Sequence, residues 1–232
     1  MRDPNRPVPR GVYILPNLFT TASLFTGFMS IIFAVSGRYD SAAWAILFSA
    51  LMDGLDGKVA RLTGTASQFG IEYDSLADCV AFGTAPAMLM WAWQLNSFGR
   101  MGVAVAFLSV ACGALRLARF NVGVATTSKR FFIGLPIPAC GCALATFVLF
   151  RPYLPDWLAG QLPYICLGLA FFLPLLMVSR VRYFSFKEYG FLRAHPFSTL
   201  VAALLLFVLI FSAPRMFCFL LCLGYILSGL IY

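Results

Sequence analysis

The chain has 232 residues, of which 61% are hydrophobic and 11% charged, and its formal net charge is +8. A soluble domain carries about a quarter charged residues, so a soluble fold is excluded and an all-α, polytopic transmembrane bundle of about eight spans is expected. The basic excess does not call for a nucleic-acid partner, because its distribution has an orientation reading.

Residues 1–14 open the chain as a polar, proline-rich, basic arm at the cytoplasmic interface, without the small-residue cleavage site of a secretory signal. Pro16 and Asn17 begin the first of eight expected spans: 15–36, 41–62, 70–95, 101–122, 132–150, 161–179, 196–212 and 214–232. Gly37 to Asp40 reads as a tight turn. The connector 63–69 is short and polar, and Ser67 is the expected N-cap of the third helix. A cytoplasmic loop over 123–131 carries Lys129 and Arg130. The segment from Gly134 to Pro138 opens the fifth span, with its prolines in a first turn or a kink. A short external connector runs from Pro152 to Pro163. Residues 180–195 are basic and aromatic (Tyr183, Phe184, Phe186, Tyr189, Phe191), the pattern of an amphipathic helix lying on the cytoplasmic membrane surface. One helix over 196–232 would be about 55 Å long, too long for a bilayer core, so two C-terminal spans are expected there. The domain organisation is then an arm (1–14), a six-span catalytic core (15–179), a connector (180–195) and a C-terminal pair (196–232).

Eight spans put both ends on one side. That side holds Arg2, Arg6, Arg10, Lys58, Arg61, Arg116, Arg119, Lys129, Arg130, Arg180, Arg182, Lys187 and Arg193; the other holds Arg38, Arg100, Arg151 and Arg215. This asymmetry places both termini in the cytoplasm. The seven cysteines all fall in apolar spans with no CxxC pair, so they read as packing residues and not as a zinc or redox site.

Five of the nine acidic residues lie between positions 53 and 78: Asp53, Asp56, Glu72, Asp74 and Asp78. Carboxylates in a membrane segment are costly and mark an ion, proton or substrate site. Asp53, Asp56, Gly57, Ala60 and Arg61 fall on one broad face of the second helix. Gly70, Asp74 and Asp78 repeat every four residues on the third. The short connector makes these helices antiparallel neighbours, so the four aspartates can converge in the cytoplasmic half of the bilayer. Crowded carboxylates repel, and hard divalent cations such as Mg2+ or Mn2+ relieve that. A pair of such ions suits phosphoryl chemistry. The single histidine, His195, is remote, which argues against zinc. Small residues leave room between the helices, and Arg61 adds a cation suited to phosphate. A divalent-cation path is the competing reading. It would need polar residues continuing across the membrane, and the other spans carry few acidic ones.

The pattern Asp53-x2-Asp56-Gly57-x2-Ala60-Arg61-x8-Gly70-x3-Asp74-x3-Asp78 resembles the signature of the CDP-alcohol phosphatidyltransferase family at every specified position. Pro16-Asn17-x2-Thr20, 69–78, 81–87, 116–121 and 134–138 resemble its phosphatidylserine synthase branch. The resemblance implies that Asp53, Asp56, Asp74 and Asp78 hold two divalent cations, with Asp78 also the general base. It implies that Asn17, Thr20, Gly57, Ala60, Arg61 and Gly70 bind CDP-diacylglycerol. The implied reaction transfers phosphatidyl to L-serine and releases CMP, in a homodimer surrounded by membrane lipids. Arg116 and Arg119 are three apart on the fourth helix; one can bind the serine carboxylate, while Glu72 or Asn121 accepts from its ammonium. The same arginines could serve glycerol-3-phosphate, which keeps a phosphatidylglycerophosphate synthase as the alternative.

Overall fold

The structure is a computed structural model that describes residues 14–63, 67–123, 131–184 and 196–231. The arm up to residue 13 and the loop over 124–130, with Lys129 and Arg130, lie outside those residues. The helices are α1 (Ile14–Val35), α2 (Tyr39–Thr63), α3 (Gln68–Asp78), α4 (Ala85–Trp93), α5 (Arg100–Gly123), α6 (Ile137–Phe150), α7 (Asp156–Ala159), α8 (Leu162–Val178), α9 (Pro196–Ser212) and α10 (Pro214–Ile231). Each of the eight expected spans contains a helix or a helix pair, and the fold is an all-α membrane bundle. Asn17–Val35, Gln68–Trp93 and Arg100–Gly123 are long and apolar enough to cross a bilayer, and Ile137–Tyr153, Leu162–Val178 and Pro214–Gly229 are shorter apolar helices. Helix α2 is long enough, but its second half carries Asp53, Asp56, Lys58 and Arg61.

α1 and α2 form a hairpin whose turn needs a left-handed residue, supplied by Gly37 at φ 76°. Small polar residues join the two helices. Ser23 and Ser49 share a 2.7 Å hydrogen bond, and the Ser30 hydroxyl donates to the Ala42 carbonyl at 2.9 Å. Such bonds suit a membrane interior, where helices lack a hydrophobic drive to associate. The core centres on α4 and α6, with Leu89, Met90, Leu144, Val148 and Leu149 fully buried. The outer faces stay apolar: Phe25, Phe28 and Ile32 on α1 and Leu204, Phe207 and Phe211 on α9 are exposed, as lipid contact requires. At the end of the bundle away from the aspartates, Asp40 pairs with Arg215 at 3.1 Å and Arg151 at 4.0 Å, joining the start of α2 to α6 and α10.

Two short stretches differ from the helical expectation. Residues 132–136 do not belong to the fifth span. Phe131–Ile133 is a strand, β1, and Gly134 turns with φ 79° before Pro136 caps α6. Within the expected interfacial helix over 180–195, Arg182–Phe184 is a strand, β2, pairing antiparallel with β1. The Gly134 N–H donates to the Val181 carbonyl at 2.8 Å and fixes this pairing. Residues 185–195 of that expected helix lie outside the described residues.

The third span is interrupted by a π turn, Cys79–Thr84, between α3 and α4. The Thr84 hydroxyl donates to the Cys79 carbonyl five residues back, at 3.2 Å. The widened turn bulges into three neighbours, each of which presents glycine. A Cβ on Gly27 of α1 would sit 2.7 Å from the Ala81 Cα, one on Gly141 of α6 would sit 3.0 Å from the Phe82 carbonyl oxygen, and one on Gly113 of α5 would sit 3.7 Å from the Gly83 Cα. Gly27→Val is therefore expected to destabilise the fold by about 2 kcal/mol through overpacking. Thermal unfolding in detergent measures it, and an unchanged melting temperature would contradict this packing.

Candidate active site

α2 and α3 hardly approach one another among the described residues; α1 packs against both. The two helices joined by the short connector are thus bridged by α1 more than they are packed on each other. The reason is electrostatic: the facing carboxylates repel, and the space between them is left for something else. Only side chains cross that space. Carboxylate oxygens of Asp53, Asp56 and Asp74 lie within 4.8 Å of one another.

Asp78 follows Asp74 by one turn and sits where α3 passes into the π turn. It is 9% exposed, and its Oδ1 is buried without a hydrogen-bond partner among the described residues. The charges of Asp53, Asp74 and Asp56, and of Arg116 with opposite sign, all act on it. A buried carboxylate oxygen without a donor is costly unless something occupies its lone pairs. Four carboxylates, one of them orphaned, with no soft sulfur or imidazole among them, are a donor set for hard divalent cations.

α1 supplies support that the spacing of the aspartates does not reveal. The Thr20 hydroxyl, 3% exposed, donates to Asp56 Oδ2 at 2.9 Å. The Gly57 backbone N–H also bonds the Asp56 carboxylate. Ser67 caps α3 as expected, accepting from the Gly70 N–H at 3.0 Å. Asn17 faces Gly70, where an added Cβ would stand 3.5 Å from its Oδ1. Thr21 donates to the Asn17 carbonyl at 2.7 Å, which leaves Tyr73 as donor in the 2.9 Å Thr21–Tyr73 bond. This bond ties α1 to α3 beside the site, and sequence reasoning missed both partners. Ala60 and Arg61 lie on α2, but their side chains are outside what is described.

The four acceptor candidates separate into three places. Asn121 Nδ2 donates to Glu72 Oε2 at 3.0 Å and to Ser75 Oγ at 3.1 Å, and Gln68 Nε2 donates to Glu72 Oε1 at 2.9 Å. Glu72 and Asn121 thus form one network between α3 and α5. Arg116 is partly buried toward Asp78, and its Nε has no hydrogen-bond partner among the described residues. Arg119 points elsewhere: its Nη1 reaches the Val178 carbonyl at 3.4 Å and caps the end of α8. The structure does not bring it to the carboxylates. The seven cysteines are unpaired.

The model of the CDP-alcohol phosphatidyltransferase family matches residues 13–176, which contain every residue of this site. Among similar proteins, the CDP-diacylglycerol–serine O-phosphatidyltransferase of Helicobacter pylori strain J99 is 47% identical over 178 residues, covering 76% of this chain and 74% of the relative. The protein of that name from Methanocaldococcus jannaschii is 34% identical over 224 residues, covering 96% and 95%. The archaetidylserine synthase of Methanothermobacter thermautotrophicus is 39% identical over 137 residues, 58% of each chain.

Proposed function

The chain belongs to the CDP-alcohol phosphatidyltransferase family, and from that membership we propose that it moves the phosphatidyl group of CDP-diacylglycerol onto L-serine, releasing CMP. The observation that carries the chemistry is the convergence of Asp53, Asp56 and Asp74 within 4.8 Å, with the orphaned Asp78 oxygen beside them. The choice of serine is supported by the names of the relatives that match this chain over most of its length.

Asp53, Asp56, Asp74 and Asp78 are the residues that would hold two divalent cations, Mg2+ or Mn2+. Bound there, such cations supply positive charge to the diphosphate of the donor and to the departing CMP. Thr20 and the Gly57 N–H hold Asp56 in place. Gly70, with Asn17 beside it, leaves a small-residue wall for the nucleotide end of the donor, and Gly57, Ala60 and Arg61 of α2 are the further donor-binding residues that the family signature implies. Asp78 takes the proton of the serine hydroxyl. The serine oxygen then bonds to the phosphorus that carries diacylglycerol, the anhydride P–O bond breaks, and its electron pair leaves on the CMP phosphate. This is one in-line displacement, driven by positioning and charge. Arg116 binds the serine carboxylate, and Glu72 with Asn121 receives its ammonium. Arg119, whose Nη1 reaches the Val178 carbonyl, stands apart from that pocket.

The cationic residues counted on one side of the spans support a site and termini that face the cytoplasm. The family resemblance supports a homodimer. The test of the reaction is CMP release from purified protein given CDP-diacylglycerol, Mg2+ or Mn2+, and either serine or glycerol-3-phosphate. Serine-dependent CMP is expected. Release with glycerol-3-phosphate alone would replace the serine reading by the phosphatidylglycerophosphate one.

A further inference from the structure

We propose that Ile137, the first residue of α6, is the floor of the acceptor pocket and sets the size of the alcohol that reaches Asp78. This rests on the serine reading above. The Ile137 side chain, 1% exposed, fills a notch made by two glycines. A Cβ on Gly113 of α5 would stand 2.8 Å from its Cδ1, and one on Gly83 of the π turn 3.7 Å from the same atom. The glycines also face each other, since that Gly113 Cβ would be 3.7 Å from the Gly83 Cα. At the other end of this helix contact, Asn121 Nδ2 donates to Ser75 Oγ at 3.1 Å. Ser75 to Gly83 and Gly113 to Asn121 are equal lengths of chain, so α5 runs antiparallel to α3 and the π turn between the two contacts. Asp78 and Arg116 both lie between them, each about one turn from the notch. Each carries a buried polar atom without a partner among the described residues, Asp78 Oδ1 and Arg116 Nε, as a pocket left for a polar small molecule does. The space bounded by Asp78 and Arg116 thus ends at Ile137.

Ile137 is held in this place from both sides. The Pro136 carbonyl accepts from the Cys140 N–H at 3.0 Å, and the Leu135 N–H donates to the Leu176 carbonyl of α8 at 3.0 Å, which fixes the start of α6. One turn on, Gly141 lies against Phe82 of the π turn, where an added Cβ would stand 3.0 Å from the carbonyl oxygen. The helix therefore cannot slide along the π turn to make room, because a close-packed interior transmits strain instead of absorbing it. Serine, with its hydroxyl at Asp78 and its carboxylate at Arg116, spans the pocket above Ile137. An acceptor with a further branch has to place the extra carbon against the isoleucine. Threonine is such an acceptor: it is serine with one more methyl, on the carbon that bears the hydroxyl. In an apolar pocket, one group of that size is worth about 10–200-fold in discrimination.

The test measures CMP release with serine and with threonine. With either, the acceptor oxygen bonds to phosphorus, its proton goes to Asp78 and CMP leaves. The preference in kcat/KM for serine over threonine is expected to fall by at least about tenfold in Ile137→Ala, and by a smaller factor in Ile137→Val, which removes Cδ1 alone. Gly113→Ala added to Ile137→Val puts a methyl 2.8 Å from where Cδ1 was and should restore the preference, which a general loosening of the fold would not do. Leu144→Ala, which opens a cavity about two turns further along α6, should leave the preference unchanged. KM for CDP-diacylglycerol should stay within about twofold in every variant, since the donor does not use this notch. Thermal unfolding in detergent identifies the folded variants, and if Ile137→Ala does not fold, Ile137→Val and its double variant decide. Wild type that turns over serine while the folded Ile137 variants keep its preference overturns the role of Ile137 alone, and so does an equal loss of preference in Leu144→Ala. Wild type with no serine turnover overturns the substrate reading instead.

Discussion

Asp78→Asn is expected to lower kcat for serine-dependent CMP release by about a thousandfold, the middle of the range for losing a general base. The substitution keeps the shape of the side chain and removes its ability to accept a proton. Asp78 is buried, and the π turn from Cys79 to Thr84 begins immediately after it, packed against Gly27 and Gly141. The backbone that carries the side chain is thus held by α1 and α6, and an asparagine should occupy the same place. Folding should survive, because the position makes no protein hydrogen bond through Oδ1 among the described residues. Loss of turnover with an unchanged melting temperature separates chemistry from stability. Full turnover in Asp78→Asn would remove the proposed base.

The aspartates were readable in sequence because a helix repeats every 3.6 residues and charged groups stand out against an apolar background. Ser67 was readable for a similar local reason: it precedes an apolar run and its cap bond to Gly70 spans three residues. What escaped depends on partners distant in the chain. Cys79 to Thr84 looks like ordinary apolar helix; its π turn exists because glycines arrive from α1, α5 and α6. Arg116 and Arg119 are equivalent by spacing. They part because the α8 carbonyl at Val178 stands beside one and Asp78 beside the other. Arg182 to Phe184 carries the aromatic and basic residues of an interfacial helix, and only pairing with Phe131 to Ile133 makes it a strand.

Removal of divalent cations is expected to abolish CMP release, and addition of Mg2+ or Mn2+ to restore it. The carboxylates of Asp53, Asp56 and Asp74 stand within 4.8 Å of one another with no lysine or arginine bridging them among the described salt bridges. Two unit charges about 4 Å apart repel by about 4 kcal/mol at an effective dielectric near 20, a repulsion that a bound divalent cation relieves. The effect should be graded across substitutions. Asp74→Asn, which removes a proposed ligand, should raise the cation concentration for half-activity more than any supporting change. Thr20→Val removes the 2.9 Å bond to Asp56 without touching a carboxylate. Loss of such an outer partner typically costs about 10–100-fold in metal affinity, so added cation should restore Thr20→Val to nearly the wild-type rate. Titration of activity with Mn2+ in wild type and both variants measures this order. Equal activity after chelation would sink the metal reading altogether. Thr20→Val that titrates like wild type would leave the cations in place but show that α1 does not orient Asp56.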